Sequence, residues 1–181
     1  MTCLIVLSGP PGIGKSTVGD AVAALHPAVR LSIDDVEEAM LACGLTREQT
    51  GVAAYGVSRA AAEQNLAQGL DVVVDAVNDS EPARETWRRA ARATRTSLLQ
   101  VVLATADAAV HRARLEGRTR SFVLLAEPDW ARVAAARPAP WGPEVLRLDA
   151  GLPAEELALS VLAELASSGT PRRAGGSSGT S

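Results

Sequence analysis

The sequence predicts a three-layer α/β fold, a mostly parallel sheet covered by helices on both faces. Three observations carry that expectation. Short apolar runs recur along the chain and alternate with stretches of helical spacing. Residues 9–17 read Gly9-Pro10-Pro11-Gly12-Ile13-Gly14-Lys15-Ser16-Thr17, a complete G-x-x-x-x-G-K-[ST] phosphate-binding loop between the first apolar run and the first helical stretch. A length of 181 residues, 47 % of them hydrophobic, suits one domain with one core, although only 3 % are aromatic.

Each element follows from local pattern. Residues 3–8 (CLIVLS) are continuously apolar until the last position, as in a parallel strand buried on both faces. Over 15–25, Val18, Ala21, Val22 and Leu25 fall at helical spacing and form a core-facing stripe. Further β-type runs at 29–33, 70–74, 97–103 and 145–148 bring the strands to five. Helices are expected over 35–43, 46–68, 81–94, 106–117, 126–136 and 153–166. Pro82 and Pro153 suit first helical turns, and Pro138-Ala139-Pro140 stops a helix before the last strand. There is no internal repeat. The domain is expected to cover 1–166. Residues 167–181, rich in Ser and Gly without apolar periodicity, read as a flexible tail in which Arg172 and Arg173 are solvated.

Bulk properties narrow the function. A net charge of −3 and a pI near 5.4 argue against a protein built around a polyanion groove. Cys3 and Cys43 form neither a disulfide framework nor a metal motif, and read as buried, unreactive thiols. The first apolar run is too short for a signal sequence or a membrane span, so a cytoplasmic protein without a membrane partner is expected.

The loop defines the donor chemistry. Backbone N–H groups of a glycine-rich turn that opens a helix point at phosphate oxygens, and the helix dipole favours negative charge. Gly9 through Thr17 would cradle a nucleotide, with Lys15 reaching its β- and γ-phosphates and the Ser16 hydroxyl on Mg²⁺.

Ligands in open parallel sheets collect at the carboxyl ends of the strands, so the residues found there matter most. The second strand runs into Asp34-Asp35. A carboxylate at that place can take the proton of an acceptor hydroxyl, and Asp34 is the favoured base. Asp34 and Asp35 also suit the N-cap of the helix that begins there, so one can cap while the other acts. The third strand ends in Asp75-Ala76-Val77-Asn78. Asp75 fits the carboxylate that orients Mg²⁺, or else a turn residue; Asn78 fits either an acceptor contact or an Asx-turn. The 111–120 run holds Arg112, Arg114, Arg118 and Arg120, on and just past a helix expected to end at a Gly117 hinge. Arg114 and Arg118, four apart, share a face and can fold over a transferring phosphoryl group; a solvated charged face is the alternative. His26 and His111 read as surface residues.

The order of these parts resembles the small P-loop kinases: strand-GPPGIGKST-helix, strand-Asp34-Asp35, strand-Asp75-x-x-Asn78, Arg84 in the next helix, then Arg114-x-x-x-Arg118. The likeness spans roughly 3–165. It is strongest to the AAA-type, polynucleotide-kinase-like group, with gluconate kinases, chloramphenicol phosphotransferases and zeta toxins as looser relatives. It implies a P-loop NTPase sheet in the order 2-3-1-4-5 with an arginine-bearing helical lid. It further implies ATP with Mg²⁺, phosphorylation of a hydroxyl, Asp34 as base and Arg118 at the transferring phosphate. One departure stands out. Polynucleotide kinases commonly carry Asp-Asp-x-Arg, whereas this chain has Glu37 at that position and Glu38 beside it. The 36–68 segment also holds Glu48 and Glu63 against Arg47 and Arg59. The expected acceptor is therefore a neutral or cationic small hydroxyl compound, near Asp35, Glu37, Asn78, Arg84, Trp130 and Trp141, rather than a nucleic-acid end. If those glutamates face solvent instead, that inference lapses. The guanine motif Asn-Lys-x-Asp of GTPase switches is absent, which disfavours a non-catalytic regulator.

Overall fold

A computed structural model describes residues 2–118 and 122–168 of the chain. Five parallel strands make one sheet in the order β2-β3-β1-β4-β5, the order expected above. They are β1 (Cys3–Ser8), β2 (Ala28–Ser32), β3 (Asp71–Ala76), β4 (Ser97–Ala104) and β5 (Leu146–Asp149). The helices are α1 (Lys15–Leu25), α2 (Ile33–Ala42), α3 (Arg47–Ala67), α4 (Glu81–Thr94), α5 (Ala108–Glu116), α6 (Trp130–Ala135) and α7 (Ala154–Ser168).

Strand alternation divides the core into two layers. Ile5, Leu7, Val73, Val101 and Leu103 face α1 and α7, packing against Val18, Val22, Leu157 and Val161. Leu4, Val6, Val72 and Val74 face the other way, onto Ile33 of α2, Ala54 and Leu66 of α3, and Trp87 of α4. Because β1 lies between β3 and β4, every one of its six residues is buried. That explains its continuous apolar run.

Several local expectations need correction. The helix expected at 126–136 contracts to Trp130–Ala135, where Asp129 accepts the Arg132 N–H as N-cap. The helix after β2 starts at Ile33 with Ser32 at its N-cap, so Asp34 and Asp35 occupy the first turn and neither caps it. Acidic side chains there still favour the positive end of the dipole. Cys3 is buried but Cys43 is exposed, because it ends α2 instead of facing the sheet. His26 is half-buried and pairs with Asp71 at 2.7 Å, whose other oxygen accepts the Cys3 N–H. α7 continues through Ser168, and the rest of the expected tail, 169–181, lies outside the described residues.

Tyr55 on α3, the chain's single tyrosine, accepts the Asn78 N–H at 3.2 Å. Desolvation, reinforced by Asp79, Asp34 and Glu37, pushes its phenol up from 10 to about 12. The phenol should thus ionise near pH 12 in the folded chain and near 10 after denaturation, as read by phenolate absorbance. The folded state holds its proton where the unfolded chain has lost it, so this group's stabilisation is complete below pH 10 and fades between 10 and 12. A folded-state midpoint near 10 would contradict the desolvation of this partly buried hydroxyl.

Candidate active site

All five strands deliver their carboxyl ends to one edge of the sheet, and a cavity of about 790 Å³ opens there. The phosphate-binding loop and the first turn of α1 form its floor through Gly12, Ile13, Gly14, Lys15, Ser16 and Thr17. Gly9, Gly12 and Gly14 take φ of 146°, 77° and 105°, conformations that side chains rarely adopt. Space matters at the first two as well. A Cβ on Gly9 would sit 2.6 Å from the Leu103 carbonyl oxygen, and one on Gly12 would sit 2.9 Å from Leu115. Lys15 is buried, and its Nζ donates to the Pro10 carbonyl at 3.0 Å, turning the ammonium back over the loop.

The Ser16 hydroxyl donates to Asp75 Oδ2 at 2.7 Å, which joins two residues expected to share a metal. Among the described residues no cluster of three or more His, Cys, Asp or Glu could hold a resident ion. The hydroxyl–carboxylate pair beside the loop does fit a hard cation such as Mg²⁺ arriving with a nucleotide, because such ions take oxygen ligands and keep several waters.

The sequence reading missed Arg30. From the middle of β2 its Nη1 donates to Asp75 Oδ1 at 2.7 Å, its Nε to Asp20 Oδ1 at 3.0 Å and its Nη2 to the Ser16 carbonyl at 3.2 Å. Burial works against this guanidinium, but Asp75 and Asp20 outweigh it and raise its pKa. A Cβ on Gly19 would lie 2.7 Å from Arg30 Nε, which accounts for a glycine in the body of α1. The signal available in sequence was a charged residue inside a short apolar strand.

Asp34 and Asp35 both line the cavity. Partial burial and the charge of Asp75 raise the Asp35 pKa, against opposing help from Arg30 and the Ser32 hydroxyl. Arg114, Arg118 and Phe122 line the cavity too, but the two arginines do not share one helix, since α5 ends at Glu116 and Gly117 caps it. Arg114 donates to the Ala150 carbonyl and Arg118 to Glu127 at 3.2 Å. Arg120 of the same run lies outside the described residues. His111, expected at the surface, is buried against the loop; its Nε2 donates to the Pro11 carbonyl at 2.8 Å, and its ring meets Trp130 edge-on.

Three expected acceptor residues lie elsewhere. Asn78 is fully buried with a left-handed φ of 52°. Its amide nitrogen donates to Ser8 Oγ at 2.9 Å, and its amide oxygen accepts the Trp87 indole N–H at 2.9 Å. Arg84, 1 % exposed, donates to the carbonyls of Asn78, Ala139 and Pro140 and lies 3.5 Å above the Trp141 ring. Glu37 accepts the Thr50 hydroxyl at 2.8 Å and ties α2 to α3. None of these three lines the cavity, nor do Trp130 and Trp141. Polar residues after a sheet strand look alike in sequence whether they hold a ligand or a turn.

Replacing Arg84 with alanine would leave three carbonyls unpaired around a cavity. We expect a loss of roughly 3 kcal/mol of stability, read by denaturant unfolding, with nucleotide affinity of the folded fraction unchanged. A selective loss of ligand affinity with intact stability would restore Arg84 to the site.

A family model described as an AAA domain matches residues 4–140. Among curated proteins, an uncharacterized protein of Mycobacterium tuberculosis and one of Mycobacterium bovis are each 30 % identical over 153 residues. The alignment covers 76 % of this chain but only 30 % of each relative, so the chain spans under a third of their length. A sugar kinase from Janibacter sp. HTCC2649 superposes with a TM-score of 0.68 at 20 % identity, over 92 % of this chain and 95 % of that one. The APS kinase of Mycobacterium tuberculosis, in complex with AMPPNP and APS, gives 0.67 at 18 %, over 91 % and 98 %. A gluconokinase from Sinorhizobium meliloti gives 0.62 at 24 %, over 91 % and 93 %. At such identities the likeness is one of fold: the chain shares the P-loop α/β architecture of these proteins.

Proposed function

We propose, given that the chain belongs to the AAA-domain family, that it is an ATP-dependent kinase transferring the γ-phosphoryl group to a hydroxyl of a small molecule. One observation carries this reading. A single cavity joins the Lys15 loop and the Ser16–Asp75 pair to the two carboxylates of α2 and to Arg114 and Arg118. Phosphoryl transfer needs positioning and charge stabilisation more than covalent chemistry, and this set of groups supplies both.

In the proposed reaction the nucleotide phosphates lie on Gly9 to Thr17 with Lys15 against the β- and γ-oxygens. Ser16 and Asp75 would hold Mg²⁺, which neutralises phosphate charge when bound. Asp34 orients the acceptor hydroxyl and takes its proton as the new O–P bond forms and the bond to the β-phosphate oxygen breaks. Asp34 is preferred to Asp35 because Asp35 feels the charges of Asp75 and Arg30, at the metal end of the cavity. Arg114 and Arg118 offset charge on the phosphoryl group, and Arg30 keeps Asp75 oriented.

The acceptor end is acidic through Asp34, although not through Glu37, whose carboxylate serves the helix pair. That favours an uncharged or amine-bearing hydroxyl compound over a nucleic-acid end. No helix among the described residues is long and apolar enough to cross a membrane. The deciding experiment screens sugars, nucleosides, amine-bearing natural products and a 5′-hydroxyl oligonucleotide for ADP release and a mass gain of one phosphate. A phosphorylated small molecule supports the proposal. Phosphorylation of the oligonucleotide alone would replace the acceptor class, and nucleotide binding with no transfer to any compound would indicate a regulator.

A further inference from the structure

Glu38 has a partner that its place in the sequence does not suggest. It stands one helical turn beyond Asp34 on α2, so the two share a face. Its carboxylate accepts the backbone N–H groups of Val123 at 2.9 Å, Leu124 at 3.1 Å and Leu125 at 2.6 Å. Three successive amides converging on one anion form a nest, the backbone's own anion receptor, and such charge-assisted bonds are roughly twice as strong as neutral ones. Burial does not hold this segment. Val123 is 87 % exposed and Leu124 47 %, so apolar contact leaves it largely unsupported. Phe122, immediately before the nest, lines the cavity, and Arg118 is paired with Glu127 just after it.

We infer that Glu38 is a positioning residue: it latches the 123–125 backbone onto α2 and thereby sets Phe122 and Arg118 as the roof over the acceptor end. The inference rests on the kinase reading for its consequence, the exclusion of water from the phosphoryl group, but not for the latch itself. A nest filled from within the chain also leaves no anion receptor on these amides for an acceptor's own phosphate or carboxylate. The backbone bonds hold the Glu38 carboxyl below its ordinary pKa, in keeping with an anion on those amides.

Hydrogen exchange on the full chain, alone and with Mg·AMPPNP, tests the latch. In Glu38→Ala the amides of 123–125 should exchange about tenfold faster or more, while those of β1, β3 and β4 keep their protection. Glu38→Gln, which retains one accepting oxygen, should recover part of the difference. Acceptor-independent hydrolysis of Mg·ATP should rise several-fold in Glu38→Ala as water reaches the site. Unchanged exchange at 123–125 would overturn the latch. Faster exchange without any change in a measurable hydrolysis rate would overturn the roof. If neither protein hydrolyses or transfers phosphate, the kinase reading fails while the exchange result still decides the latch.

Discussion

Lys15→Ala is expected to lower the rate of phosphoryl transfer by about 10²–10³-fold, the usual cost of losing one preorganised group that meets developing charge. Its ammonium is buried at the mouth of α1 and held over the loop by the Pro10 carbonyl. A charge pre-set in a partly dry site need not be reoriented during the reaction, which is why its loss reaches kcat. Nucleotide affinity should fall as well, since in the proposed reaction Lys15 also meets the ground-state phosphates. ADP release under saturating acceptor, together with calorimetric titration of Mg·AMPPNP, separates the two effects. Transfer within a factor of two of the unmodified chain would remove Lys15 from the mechanism.

The second large effect falls on the other half of the cavity. Asp34→Asn should reduce turnover by about 10²–10⁴-fold, the range for a general base, while AMPPNP binding stays near its original strength. The substitution keeps size and hydrogen-bonding reach but removes the capacity to take a proton. Asp35→Asn should act differently: it sits near Asp75 and Arg30, so its effect should show mainly in the Mg²⁺ concentration needed for half-maximal activity. Near-normal turnover in Asp34→Asn with collapse in Asp35→Asn would exchange the two roles.

These two variants probe residues that could be found in sequence, for physical reasons particular to each. The Lys15 loop is legible because close backbone approach to phosphate demands glycine at fixed offsets, and little else produces that pattern. Asp75 is legible because a carboxylate near the end of an apolar, centrally placed strand has no packing reason to be there, and Asp34 and Asp35 because they follow the second β-type run at the same edge of the sheet. Arg114 and Arg118 were found by spacing, although the helix that was to carry them both stops at Glu116. Asn78 and Arg84 look like site residues in the sequence but form the centre of a buried polar network that ties β1 to the 139–140 backbone. Arg30 and Glu38 went unassigned because their partners lie 45 and about 86 positions away in sequence.

The sequence by itself determined the order of strands and helices, the sheet's two-sided burial, the phosphate-binding loop and the edge at which ligands collect. All of these follow from periodicity and backbone geometry, which are local. Tertiary structure alone decided which polar side chains reach the cavity. Arg30 closes on Asp75, Arg84 turns inward to three carbonyls, Glu37 turns to Thr50, and Glu38 reaches across to the 123–125 amides. A charged side chain is fixed by the partner that satisfies it, and in a crossover fold that partner arrives from a distant part of the chain.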